Sequence, residues 1–159
     1  GLGTLGRSVA DIATAFGAPI ISYSASGRSA QEGYEQVDLD TLLAKSDIIS
    51  IHAPLNEHTE GLMDKAAFAK MKKNCIFLNL GRGPIVVEQD LYEALENDEI
   101  AAAGLDVLCQ EPMSETNPLR KIKDSKKLLI TPHVAWASVE ARTKLMGIIL
   151  GQLKEYFQI

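Results

Sequence analysis

Gly1-Leu2-Gly3-Thr4-Leu5-Gly6 opens the chain, and the residues after it decide how this loop is read. Glycines at this spacing ahead of a helix serve three purposes. Gly1 allows a tight turn, Gly3 lets backbone approach a pyrophosphate, and Gly6 lets the helix pack closely on a sheet. The helix N-terminus then turns its N–H groups and the positive end of its dipole toward negative charge. Leu5, Val9, Ile12, Ala13 and Phe16 fall at helical spacing, Gly17 stops the run, and Pro19-Ile20-Ile21-Ser22-Tyr23 reads as a strand. The loop therefore heads a helix that leads into a β-strand.

Working outward, strand and helix alternate along the chain. A polar stretch over 24–36 precedes a short helical pattern over 38–45 with Leu39, Leu42 and Leu43 facing inward. The segment 47–52 is a strand ended by Pro54, and 64–73 is a helix with Asp64 as its cap and Ala67, Phe68 and Met71 on its buried side. Cys75-Ile76-Phe77-Leu78-Asn79 is nearly all apolar, as in a parallel sheet covered on both faces. A helix over 88–97, strands over 100–107 and 128–131, and a long helix capped by Ser138 complete the pattern. That last helix, over about 138–157, carries Leu145, Ile149, Leu153 and Tyr156 in one stripe beside Met146, Leu150 and Phe157. The expected fold is α/β, a doubly wound parallel sheet of Rossmann type.

Composition fits one domain over residues 1–159: 46% of the chain is hydrophobic and 23% charged, close to the globular average. A net charge of −5 argues against nucleic acid as a partner, since phosphate binding calls for a basic face. Lys70, Lys72 and Lys73 read as the solvated end of a helix. No apolar run is long enough to cross a bilayer and no targeting segment is recognisable, so no membrane partner and a cytoplasmic location are expected. Cys75 and Cys109 have no metal-type spacing and read as reduced, with Cys75 in the core. No metal site is expected.

Three segments of the second half carry the chemistry: Asn79-Leu80-Gly81-Arg82-Gly83, Gly104-Leu105-Asp106 running on to Glu111-Pro112, and Thr131-Pro132-His133-Val134-Ala135-Trp136-Ala137-Ser138. A permanently charged planar fork, an ionisable carboxylate and an imidazole that titrates near neutrality can together grip a 2-oxo acid and pass a proton to its carbonyl oxygen. All lie at or just past the carboxyl ends of predicted strands, where open parallel sheets bind ligands. Ser24, His52 to Leu55, Asn79 to Arg82, Asp106 and His133 should therefore converge on one crevice.

In order and spacing, the glycine loop, Asn79-Leu80-Gly81-Arg82-Gly83, Gly104-Leu105-Asp106-Val107 with Glu111-Pro112, and Pro132-His133 resemble the nucleotide-binding domain of the D-isomer-specific 2-hydroxyacid dehydrogenases. The likeness runs over essentially the whole chain. Trp136-Ala137-Ser138 after the histidine most resembles members acting on hydroxypyruvate and glycerate, or on glyoxylate. The resemblance implies hydride transfer between NAD or NADP and a small 2-oxo or D-2-hydroxy acid, in a protein that is a homodimer at full length. It implies that Arg82 binds the substrate carboxylate and carbonyl oxygen, that His133 is the acid/base, and that Glu111 hydrogen-bonds the imidazole, fixing its tautomer and raising its pKa. For the nucleotide it implies Gly1, Gly3, Thr4, Leu5 and Gly6 at the pyrophosphate, and Ala53 and Pro54 beside the adenosine half. Leu80, Gly81 and Arg82 would lie near the nicotinamide ribose and Asp106 near the nicotinamide amide.

Each assignment has a plainer competitor. Arg82 could be a surface ion-pair partner, Glu111 a turn residue before Pro112, and Trp136 a packing aromatic. His52 and His58 read as structural or solvent-facing. Two departures from the family pattern also matter. Where the family has an acidic residue after its second strand, this chain has Ser24, with Arg28 close behind, which permits NADP. Nothing precedes Gly1 that could be the sheet's first, central strand. An empty slot there would leave two rows of backbone groups unpaired at roughly 1–3 kcal/mol each if dry, so the chain is expected to be a fragment without that strand and without the separate substrate domain. The terminal helix would return toward that domain, and the chain by itself should turn over substrate poorly. Other functions on the same fold are a nucleotide-sensing corepressor or scaffold, or a nucleotide-binding fragment without turnover.

Overall fold

The computed structural model describes residues 1–27 and 33–158. Gly3, in extended backbone, starts helix α1 (Thr4–Ala15). A Cβ on Gly6 would come within 2.1 Å of the Gly1 carbonyl oxygen, so the third glycine is demanded by the loop's own turn. Gly17, at φ +84°, ends the helix in the left-handed region that glycine enters without steric cost. Strand β1 (Ile21–Ser22) then pairs in parallel with β2 (Glu35–Gln36). β2 lies inside the stretch 24–36 read as irregular, because two polar residues show no alternation to detect.

Helix α2 (Leu39–Lys45) is capped by Asp38, whose carboxylate accepts from Thr41 N at 2.7 Å and Thr41 Oγ1 at 2.8 Å. Those two bonds hold its pKa below the usual carboxylate range. β3 (Ile48–Ile51) follows, then α3 (Lys65–Ala69), which Asp64 caps through Ala67 N at 2.9 Å. The helix expected to run to residue 73 stops here. Met71 N bonds back to Phe68 O in a tight turn that swings Met71 into the core, where it is 8% exposed. After β4 (Ile76–Asn79) come a 3₁₀ turn (Gly83–Ile85), α4 (Glu88–Glu96), β5 (Ala102–Leu105), a second 3₁₀ turn (Pro118–Lys121), β6 (Leu128–Ile130) and α5 (Val139–Phe157). Ser138 caps α5 as expected, accepting from Ala141 N at 3.1 Å. Among the described residues, no helix is long and apolar enough to cross a membrane.

All pairings are parallel, in the orders β1-β2 and β3-β4-β5-β6. Ile51, Asn79 and Leu105 stand side by side, and Leu105 pairs with Ile130, so the carboxyl ends of four strands form one rim. β1 and β3 do not pair, and the parallel sheet is in two parts at that point.

One sheet face carries the core. Ile49, Phe77, Ala103 and Leu105 meet Leu43, Phe68, Leu91 and Leu95 from the helices, all nearly inaccessible. Phe68 and Phe77 meet edge to face with ring centres 5.5 Å apart. Burial of each large side chain contributes roughly 1.5–3 kcal/mol. The other face differs from expectation. Ile48, Ile76 and Leu129 are 61%, 41% and 66% exposed, because no helix among the described residues packs over them. Of α1 only Gly6 and Ala10 are buried, its Leu5, Val9, Ile12 and Phe16 stripe is open, and α5 buries none of its apolar stripe.

Candidate active site

Each of the three chemical segments leaves the rim from a neighbouring strand. Asn79, wholly buried at the end of β4, shapes the first: its Oδ1 accepts from Gly81 N at 3.0 Å and its Nδ2 donates to Arg82 O at 3.0 Å. Arg82 is thereby held at the surface, where its Nη1 donates to Gly81 O at 2.8 Å. Among the described residues no carboxylate pairs with it, so the plain reading of Arg82 as an ion-pair partner finds no support. Its planar donors are left facing solvent at the rim.

Glu111 and His133 meet directly. The Oε2 of Glu111 lies 2.8 Å from His133 Nδ1, and its Oε1 accepts from Leu108 N at 2.9 Å. The Leu108 amide first, and the imidazole second, hold the carboxyl below the usual glutamate range. Glu111 as an ionised acceptor favours the tautomer in which Nδ1 carries hydrogen and leaves Nε2 for substrate. Both side chains are a little over a third exposed, 37% for Glu111 and 39% for His133, so the pair is reachable from solvent.

The backbone at His133 is unusual, with φ +54°, a conformation that a non-glycine residue holds only when its surroundings fix it. Asp106 does most of the fixing. Its Oδ1 accepts from Thr131 Oγ1 and from Val134 N at 2.9 Å, and its Oδ2 from Ala135 N at 2.9 Å. Burial tends to raise this carboxyl's pKa, but the bonds from Thr131, Ala135 and Val134 outweigh it and the net shift is downward. Trp136 adds a bond from Nε1 to His133 O at 2.9 Å; at 52% exposed it is not a core aromatic. The sequence reading missed the part of Thr131, Asn79 and Trp136 in holding these loops. Thr131 and Trp136 flank His133 in sequence, but nothing in residue type reports which way they bond.

The glycine loop joins this rim through the end of β3. A Cβ on Gly1 would lie 3.5 Å from His52 O and 3.7 Å from Ala53 Cα, and one on Gly81 would lie 3.0 Å from Ala53 O. Gly1, Ala53 and Gly81 are therefore close neighbours. Gly3 has nothing within 4 Å of a built Cβ, the open space a backbone needs to receive a bulky anion. Thr4 and Leu5 begin α1 beside it, and Leu5, Pro54 and Leu80 are exposed along the line. His52 is half-buried against Ser50, with Oγ and Nε2 at 2.9 Å, and burial lowers its pKa, in keeping with a structural role. Ser24 lines an open cleft of 630 Å³ with Tyr23, Gln36, Val37, Asp38 and Thr41. Arg28 lies outside the described residues.

Crowding locks two of the loops together. A Cβ on Gly83 would fall 2.0 Å from the Leu108 carbonyl carbon and oxygen, so the backbone following Arg82 is pressed on the backbone leading to Glu111.

Nearly the whole chain is similar to known proteins. The chain is 43% identical to a hydroxypyruvate reductase from Blautia hydrogenotrophica, the match covering 99% of this chain and 49% of that protein. It is 40% identical to a glycerate dehydrogenase from Methylorubrum extorquens, covering 96% and 46%. A solved acyclic imino acid reductase in complex with NADPH and D-Arg superposes with a TM-score of 0.88 at 36% identity, over 99% of this chain and 49% of that one. The chain thus spans about half the length of each of these three proteins. Residues 1–135 match the model of the D-isomer specific 2-hydroxyacid dehydrogenase NAD binding domain, and the chain belongs to that family.

Proposed function

We propose that the full-length protein transfers a hydride between NAD(P)H and a small 2-oxo acid, with hydroxypyruvate and glyoxylate the favoured substrates and a D-2-hydroxy acid such as glycerate the product. The observation that carries this reading is the Glu111–His133 pair at 2.8 Å on the strand rim that also bears Arg82. When bound, the nicotinamide supplies the hydride in one direction and accepts it in the other. Arg82 grips the carboxylate of the 2-oxo acid with two parallel donors and fixes the carbonyl in place. His133, protonated at Nε2, delivers that proton to the carbonyl oxygen as negative charge grows there. Glu111 holds the imidazole by Nδ1 and stabilises the imidazolium before the transfer, while Asp106 keeps the loop of His133 in its strained turn.

For the cofactor, Gly1, Gly3, Thr4, Leu5 and Gly6 receive the pyrophosphate, Ser24 meets the adenosine ribose, and Ala53 and Pro54 flank the adenosine half. Leu80, Gly81, Arg82 and Asp106 lie toward the nicotinamide. Ser24 carries no charge to repel a 2′-phosphate, which supports acceptance of NADP as well as NAD. We further infer a homodimer, with segments 53–71 and 88–97 contributing to the contact, for which sedimentation of the full-length protein is the test.

The functional test follows loss of reduced-cofactor absorbance for the full-length protein with NADH and NADPH against hydroxypyruvate, glyoxylate and pyruvate. Turnover favouring the first two supports the reading. Nucleotide binding with no turnover on any of the three would replace it with a nucleotide-sensing role.

A further inference from the structure

Glu88 opens α4, and its carboxylate hydrogen-bonds outside that helix. It reaches across to the segment that carries Glu111. Oε1 accepts from Cys109 N at 2.8 Å, and Oε2 accepts from Asn117 Nδ2 at 2.8 Å. Asn117 is itself buried at 7% exposure and fixed, its Oδ1 accepting from Leu119 N at 2.9 Å. One carboxylate thus clamps both ends of residues 109–117. The neighbouring amide, Leu108 N, goes to Glu111, so consecutive N–H groups of one peptide stretch are divided between two carboxylates. The same stretch is where Gly83 presses, and there Cys109 Sγ also donates to Val86 O at 3.5 Å.

Resting on the hydride-transfer reading above, we propose that Glu88 is a positioning residue for the acid/base pair: by clamping Cys109 and Asn117 it sets the orientation in which Glu111 meets His133. Charge-assisted bonds to a half-buried carboxylate are the stronger class of hydrogen bond, and both donors would lose an acceptor without it. The other ionisable groups resolved on the segments around the pair are Asp106, whose bonds from Thr131, Ala135 and Val134 lower its pKa, and the Cys109 thiol, which burial and then Glu88 push up to about 11. Asp106, lowered from its ordinary value, and Cys109, raised to about 11, both titrate outside pH 6 to 9.

Reduction of hydroxypyruvate by the full-length protein tests this across that pH range. In Glu88→Gln the new amide can accept from only one of the two donors. We expect kcat to fall roughly tenfold with KM little changed, as misplacement of a catalytic group does. The alkaline limb of the profile should move to lower pH by roughly half a unit, because the imidazolium loses part of its partner. In a Glu111→Gln background the same substitution should bring no further movement, since Glu88 acts through Glu111. An unchanged profile in Glu88→Gln, or an equal movement in the Glu111→Gln background, overturns the proposal. Should Glu88→Gln fail to fold, Asn117→Asp keeps the bond from Leu119 N but sets a carboxylate against Glu88. It should move the profile in the same direction, and an unmoved profile there also overturns the proposal. If the unmodified protein shows no turnover, the hydride-transfer reading has failed; a Glu88→Gln variant that matches an active parent refutes only the positioning role.

Discussion

Gly83→Ala probes the contact on which the site's geometry depends. The added methyl would stand 2.0 Å from two backbone atoms of Leu108 and 2.4 Å from Cys109 N, where ordinary contact begins at 3.4 Å. None of the three is the end of a flexible side chain, so main chain must give way by an ångström or more. Overpacking of a well-filled site costs about 1–3 kcal/mol, and obstruction by a peptide group that cannot swing aside puts this case at the top of that range, about 3 kcal/mol. For a domain of this length that corresponds to a fall in Tm of roughly 6–12 °C. The displacement would also part Arg82 from the Glu111 segment, so kcat should drop even in protein that remains folded. Thermal unfolding followed by circular dichroism, with turnover measured well below Tm, reads both effects. Gly147→Ala on α5, where a Cβ meets nothing within 4 Å, is the control and should leave Tm unchanged or slightly raised. A Gly83→Ala protein with the parent's Tm and kcat would refute the claim that the two loops are locked by backbone contact.

Further outcomes follow from the same geometry. Glu111→Gln should move the alkaline limb of ketone reduction to lower pH by about one unit, because a neutral partner stabilises the imidazolium less; an unmoved limb removes Glu111 from its role. Asp106→Asn places an amide where Ala135 N or Val134 N now donates, leaving a buried donor facing a donor. Denaturant unfolding should show a loss of about 2 kcal/mol with little change in slope. For acid stability the sign comes from Asp106 and Glu111, whose folded pKa values lie below their ordinary 3.8 and 4.5. Depressed carboxyls contribute stability that is present above those ordinary values and lost as pH falls through the folded ones. Unfolding free energy should therefore be flat in their contribution from pH 7 to 5 and decline below about 4.5, and a decline already under way at pH 6 would contradict this.

Much of the fold was legible because parallel strands and their helices announce themselves by period and by caps. Asp38, Asp64 and Ser138 each mark a helix start in the sequence, and each accepts from a first-turn amide in the structure. The spacing of Leu5, Val9, Ile12 and Phe16 gave the helix but not its burial, since period reports a face and not what covers it. The same limit applies to Ile76, read within a doubly covered strand and found on the open sheet face. β2 escaped because a two-residue strand has no pattern. At the site, residue types pointed to Arg82, Glu111 and His133, and the hydrogen bond between His133 and Glu111 joins two of them. The supporting bonds of Asn79, Thr131, Trp136 and Glu88 were hidden because they link positions distant in sequence, or turn on which way a side chain points.

The measurement closest to the centre of this account compares the full-length protein with its His133→Gln variant, following oxidation of NADH or NADPH by hydroxypyruvate alongside titration of cofactor binding. Loss of the acid/base should lower kcat by roughly a thousandfold while the cofactor Kd changes little. Turnover retained within a few-fold of the parent would contradict the assignment of His133, and with it the chemical role given to the rim.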